Sequence, residues 1–595
     1  MEPILSKLRA VDVKHRIGPL KKEVDHALLT EFEQSGVKFV VLSSSSERLE
    51  EVFYNAIDKL LDCIIPNQEG IPILQEGGVY HGCWLESTGT INAELLSRFI
   101  PTVAQATFEQ FAVHQREDGL IPYKITVDGP IFRQIQLVTP LARSVWNHYL
   151  LNGKDDRFLS KMYTTLIGFD QWLETYRNTR GSGCVEAFCT FDTGHDLSAR
   201  FWHIPDTPHQ NDPKQYDPNS PILPFLAPDL TANVYCSRKY YGLMAEELGA
   251  SELNESVASE LNESVSSELN ECVASELNES VGIAKSVSYW SDKADQSLHS
   301  LFLHCYDKQD QFFYDVDRNG KFVRVQSDVL LRVLACEVGD DEFFKTALQQ
   351  YLLNTRKFFA KYPFTSIAMD DPRFDPHSNY NSWSGATNFL SLIRTAHAFE
   401  HHHRYVELTW ILQPIISAIS RLTRFGQCLS PWTGEEGYTE AYSPAILCAM
   451  DFIERLCGIL PTPNGELWFT GLLPYPMDHG QELASQTAYS RNVDGQLFEF
   501  VNTEHYAEVY CRDQAGQTGR LGESICRFPA GLRIIMDRKG SLKAVVGMSV
   551  HVVEGSLMYK GVEYAVRAAG NEVLLFENGA FHSAVSPGVI MPSYN

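Results

Sequence analysis

Much that would place a protein quickly is missing from this 595-residue chain. No run approaches the roughly eighteen apolar residues of a membrane span, so no membrane is expected as a partner. The opening "MEPILSKLRAVDVKHRIG" has no apolar core or cleavage site of the signal-peptide kind. The 13 cysteines form no C-x-x-C pairs, which argues against a disulfide framework and for reduced thiols in the cytoplasm. No Lys/Arg stripe interrupts a formal charge of −25, which excludes nucleic acid as a partner. No glycine-rich phosphate loop appears, so no cofactor is expected. "HAFEHHH" spells H-x-x-E-H at His397, Glu400 and His401, but it ends a helix, where His is common, and no metal is expected.

What is present is 44% hydrophobic and 21% charged, an ordinary globular balance. From 46 to 460 the chain reads as amphipathic helices. "SERLEEVFYNAIDKLLDCI" carries Leu49, Val52, Phe53, Ile57, Leu60 and Leu61 on one stripe. Further helices are expected near 90–116, 132–152, 155–178, 229–249, 283–307, 325–337, 341–360, 384–402, 404–424 and 440–459. Long loops follow alternate helices at 117–131, 179–228, 308–324, 361–383 and 425–439. That alternation suggests stacked helical hairpins closing into an (α/α)6 barrel, with the long loops gathered at one end, where function concentrates. After 460, short alternating runs cut by Gly, Asn and Asp read as an antiparallel β-sandwich, 461–595. The extension 1–45 holds one strand candidate, "VKFVVLSS", that could join it.

"SELNESVA" runs nearly four times from Ser251 to Val281, with eight Glu and no Lys. Its apolar residues recur every fourth position, a stripe that drifts around a helix. It reads as an acidic insertion within the helical region.

The chemistry concentrates in "EAFCTFDTGHDLSARFWHIPD", Glu186 to Asp206, with four carboxylates, two His, one Arg, one Trp and three Phe. Within it, Asp192, Gly194, Asp196, Ser198 and Arg200 match a pattern that resembles the signature of trehalase-like and family 63 glycoside hydrolases. "PFLAPDLTANVYCSRKYYGLMAEELG" resembles the helix that follows it there. The branch it looks most like is the mannosylglycerate-hydrolase-like one. The resemblance implies an (α/α)6 barrel, a sugar substrate and Asp196 as general acid. It also implies Arg200 as a clamp on sugar hydroxyls or a carboxylate, with Asp192, His195 and Trp202 beside it. Apolar neighbours would keep Asp196 protonated near neutral pH.

Glycoside cleavage also needs a second carboxylate to activate water. Where the resemblance expects it, before an xPxTGE-like turn, this chain has Gln427. The base therefore moves to Glu435, Glu436 or Glu440, or the chain does not hydrolyse in the usual way. "SNYNSWSGATNF" offers Asn379, Tyr380, Asn381 and Trp383. "GVYHGCWLESTGT" and "HQREDGLIPYKI" offer Trp84, Glu86, Gln115 and Tyr123 as sugar partners. The expected function is an inverting glycosidase acting on a small glycoside or oligosaccharide. The alternatives are a non-hydrolytic enzyme (lyase, isomerase or natural-product tailoring) on the same barrel, or a non-catalytic sugar-binding protein.

Overall fold

The structure is a computed structural model and describes residues 2–249, 287–377, 380–381, 383–477, 480–513 and 523–594. The acidic repeat at 251–281 and Asn379 lie outside the described residues.

The first two thirds are helical. Arg48–Cys63 buries the apolar stripe read from its sequence, and Tyr405–Ile419 and Ser443–Cys457 are buried nearly all round. Pro228–Glu247 packs along Val287–Cys305. Trp290 sits in that seam, 4.8 Å from Tyr241 and donating through Nε1 to the Tyr163 hydroxyl at 2.9 Å. Among the described residues no helix is long and apolar enough to cross a membrane.

Several expected helices are shorter, each for a local reason. Residues 132–140 are irregular, with Gln136 at φ +41°, and the helix is Leu141–Leu151. Pro140 disfavours helical backbone at the residue before it. The span 90–116 breaks, and Pro101 takes the first position of Pro101–Val113, where its missing N–H costs nothing. The span 341–360 holds Asp341–Ala347 and one wide turn, Leu348–Leu352.

The last third forms two antiparallel sheets, of seven and six strands among the described residues. The first begins with Lys38–Leu42, which pairs with Gln486–Val493 so that Lys38 faces Ser490 and Leu42 faces Gln486. The Asp494–Gly495 turn joins Gln486–Val493 to Gln496–Thr503 with positive φ at both residues (50° and 79°), the twist a two-residue hairpin favours. Phe469 of the second sheet meets Phe500 of the first at 5.5 Å, so the inner faces share one core. Glu454, on the last helix, accepts from the Tyr489 hydroxyl at 2.5 Å and from Arg491, and forms an ion pair with Arg98 at 2.9 Å. This buried charge cluster joins the helices to the first sheet.

The long loops pair with one another. Glu186–Ala187, Phe225–Leu226, Asp315–Val316 and Phe322–Val323 form one small sheet. Cys83–Trp84, Lys124–Thr126 and Gly129–Ile131 form a second, and Thr387–Asn388 with Cys428–Leu429 a third. These ladders turn the loop end into a fixed rim.

Candidate active site

Asp192 anchors the rim. Its buried carboxylate accepts from Arg177 at 2.6 and 3.2 Å and from the Ile135 and Phe188 N–H groups at 3.0 and 2.8 Å. Its backbone oxygen accepts from the Leu137 N–H. The loop carrying the acidic motif is thereby stitched to the segment 133–137. Two residues on, the chain turns at Gly194 (φ +65°) and presents Asp196.

Asp196 lines a pocket of about 150 Å³, small beside typical ligand cavities. One wall is aromatic: Trp84 lies 5.9 Å from Tyr123 and 6.2 Å from Tyr80, and Tyr80 lies 5.8 Å from Tyr442. The Asp196 carboxyl accepts from Asn381 Nδ2 at 2.6 Å, and its backbone oxygen accepts from the Trp383 N–H at 3.4 Å. Burial, with Asp206 nearby, pushes the Asp196 carboxyl up to about 7 against the opposing Asn381 bond and Arg332.

Two further carboxyls share the pocket. Glu76 is fully buried and taken: Ser87 donates at 2.9 and 2.8 Å, Thr88 donates to Oε2, and the Tyr442 hydroxyl also bonds it. Glu86 accepts from Gln136 Nε2 at 2.8 Å, and burial and then Asp196 hold its carboxyl well above the usual range. Four lining residues each leave a buried polar atom without a partner among the described residues: Trp84 Nε1, Gln134 Oε1, Gln136 Oε1 and Asn381 Oδ1. Buried polar groups are rarely left so, because each costs about 1–3 kcal/mol. One donor and three acceptors around one carboxyl make a pocket suited to a ligand with several hydroxyls.

The residues singled out in the sequence divide. Asp196, Trp84, Glu86, Tyr123, Asn381 and Gln427 come together in the pocket, where Gln427 Oε1 accepts from the Tyr80 hydroxyl at 2.8 Å. Trp202 and Tyr380 line an adjoining outer cavity of about 470 Å³. Arg200 is no substrate clamp: it is buried, donates to Asp229 at 2.8 and 2.9 Å and to Asp315 at 2.7 and 2.8 Å, and faces His195 Nδ1 at 2.8 Å. Those contacts use its donors inside the protein. Asp192 is likewise an anchor rather than a ligand residue. His195 is buried against Asp328 at 2.9 Å, and burial and Arg332 push its imidazole down to about 3, so it stays neutral. Trp383 is 1% exposed, between His195 and Arg332. Gln115 braces the fold through Gly119 O and Thr165 O, both at 2.8 Å.

None of the three turn glutamates lines the pocket. Glu435 is exposed and bonds only its own turn through Thr433. Glu436 accepts from the Thr423, Arg424 and Gly426 N–H groups, which hold its carboxyl below the usual range despite burial. Glu440 is exposed, outside the helix Ser443–Cys457. In "HAFEHHH", Glu400 pairs with Arg455, while His397 turns to Glu337 at 2.9 Å, whose other contacts include Lys239 at 2.6 Å.

Sequence reasoning missed Arg133, Gln134, Gln136 and Glu76. The signal for the first three lies in "RQIQL", where polar residues that line the pocket alternate with the apolar Ile135 and Leu137, although all four from Gln134 to Leu137 are buried and the chain turns at Gln136 (φ +41°) without forming a regular strand.

A carboxyl raised by burial, ring walls and unfilled polar atoms on loops of a helical scaffold suit a glycoside-cleaving enzyme. The profile of the mannosylglycerate hydrolase MGH1-like glycoside hydrolase domain matches residues 80–443, well over half the chain and all of the pocket lining except Glu76. The chain is therefore a glycoside hydrolase, and it belongs to this MGH1-like family.

Among solved structures it is similar to the GH63 mannosylglycerate hydrolase from Thermus thermophilus in complex with Tris. The TM-score is 0.51 at 15% identity, over 67% of this chain and 99% of that one. The glucose complex of that enzyme gives 0.51 at 14%, over 67% and 99%. A sialidase gives 0.55 at 14%, over 89% of this chain and 42% of its own. At such identities the likeness is one of fold. Comparison with curated proteins gives no match.

Proposed function

We propose that the helical region, 46–460, closes as an (α/α)6 barrel, with 1–45 and the β-sandwich 461–595 packed against it. It hydrolyses a small glycoside with inversion, and Asp196 protonates the departing oxygen. The observation that supports this most directly is the set of four unpartnered polar atoms around Asp196. Sugar hydroxyls supply what those atoms lack, and the aromatic wall suits the apolar face of a sugar ring. The exposed Arg133 stands at the pocket mouth and offers a fork for an anionic aglycone, such as the glycerate named in the relatives' substrate. Trp202 and Tyr380, further out, flank the path of a longer substrate.

The test is turnover on mannosylglycerate, trehalose and aryl glucosides and mannosides, with the first-formed anomer read by proton NMR. Wild type should release the inverted sugar from at least one, and Asp196→Asn should abolish release with melting unchanged. Full activity in Asp196→Asn would end the reading. Gln427, a neutral amide in the pocket, favours a second reading of a non-hydrolytic enzyme. Oxygen-18 from solvent appearing in the released sugar excludes it.

A further inference from the structure

The pocket holds an acid, but the three turn glutamates expected to supply its partner do not line it, and Gln427 cannot take a proton. We propose that Glu86 is the second carboxylate: it takes a proton from the attacking water while Asp196 gives one to the departing oxygen. This rests on the reading of the chain as a glycosidase and adds the missing half of its machinery.

Three observations converge on Glu86. Two acids line the pocket besides Asp196, and one of them, Glu76, already accepts from three hydroxyl donors, which fill all but about one of the four acceptor sites of a carboxylate. Glu86 Oε2 is steered by Gln136, while Oε1 accepts no hydrogen bond among the described residues. The carboxyl also lies directly against the loop that carries Asp196. A Cβ built on Gly194 would stand 2.5 Å from Glu86 Oε1 and 2.7 Å from its Cδ. The glycine of the acidic motif thus leaves room for the Glu86 carboxyl against the loop that carries the acid.

Electrostatics agree. Each of the two carboxyls raises its proton affinity through burial, and Glu86 further through Asp196, so near neutral pH the pair retains a proton between them. The buried Arg332 and then Arg394 oppose protonation of Glu86. One protonated and one ionised carboxyl is the state that hydrolysis requires. In the step, a water oxygen bonds to the anomeric carbon as the bond from that carbon to the aglycone oxygen breaks. The Asp196 proton goes to the aglycone oxygen and one water proton goes to Glu86. Exchange with solvent returns the pair to its starting state.

The test uses the full chain on a glycoside that wild type turns over. Glu86→Gln should lower kcat by roughly 10²–10⁴-fold with KM within a few-fold. Azide added to Glu86→Ala should restore turnover as a glycosyl azide, the small anion replacing water and needing no base. Azide should not restore Asp196→Asn, which lacks the proton donor. A residue that merely braced the pocket would show no azide product. Glu86→Gln within tenfold of wild type, or no glycosyl azide from a Glu86→Ala protein that melts like wild type, overturns the assignment while leaving the glycosidase reading intact. No turnover by wild type on any glycoside overturns both.

Discussion

Replacing Arg200 by Met separates a scaffold from a clamp. Arg200 is buried between Asp229 and Asp315, with four charge-assisted hydrogen bonds of 2.7 to 2.9 Å. Met keeps much of its bulk and leaves two carboxyls inside the protein with their main counter-charge removed. Breaking such a buried arrangement costs about 3–5 kcal/mol. With an unfolding entropy of about 2.1 cal/mol/K per residue over roughly 400 helical-region residues, that is a drop in melting temperature of roughly 4–6 °C. The sign of the pH dependence is fixed as well. In the native protein burial pushes Asp229 up, but Arg200 more than offsets it and holds the carboxyl below the usual range. Burial already holds Asp315 above the usual range, and without Arg200 both carboxyls shift upward, so the folded variant binds protons more tightly than folded wild type. The deficit against wild type is then largest near pH 7 and shrinks as pH falls toward about 4. Scanning fluorimetry at pH 7.5, 6 and 5 reads this directly. A variant that melts with wild type at every pH but shows a tenfold higher KM would make Arg200 a substrate clamp after all.

Three further outcomes are expected. With Asp196 as proton donor and its carboxyl pushed up to about 7, kcat/KM should fall about tenfold per pH unit above roughly 7; a flat profile to pH 9 would remove Asp196 from that role. Gly194→Ala should cost about 1–2 kcal/mol for a left-handed backbone and displace Glu86, so kcat drops at least tenfold in a protein that still melts cooperatively; wild-type kcat would refute the close approach. Glu454→Gln takes the carboxylate partner from the buried Arg491 and leaves Arg98 to Asp451 alone, and should cost about 3–5 kcal/mol in urea titration, against nothing measurable if the cluster carries no stability.

The helical region and the change to strands after 460 are legible in the sequence because both depend on local periodicity, as in Arg48–Cys63 and in the Asp-Gly turn at 494–495. What escapes depends on partners far along the chain. Nothing near Arg200 reveals that its carboxylates sit at 229 and 315, so a fork of donors in a loop looks like a ligand residue. An acid in a tight turn can face a pocket or fasten its own turn, and Glu436 does the latter by accepting from 423, 424 and 426. Segment 132–140 resembles the start of a helix in its apolar content, although Pro140 disfavours helical backbone at the residue before it, and the chain there is an irregular loop. Asp196 stands out because a single short motif carries it.

The strand Lys38–Leu42 has a temporal consequence. Its partner, Gln486–Val493, is made about 450 residues later. At translation speeds of roughly 5–20 residues per second, this apolar segment waits about 20–90 seconds on the ribosome without the neighbour that will cover it. During that interval the helices can assemble, while the edge of the first sheet cannot. A newly made chain thus spends most of its synthesis with an unpaired strand open to other chains or to chaperones. The last third of the protein closes that exposure as well as completing the sheet.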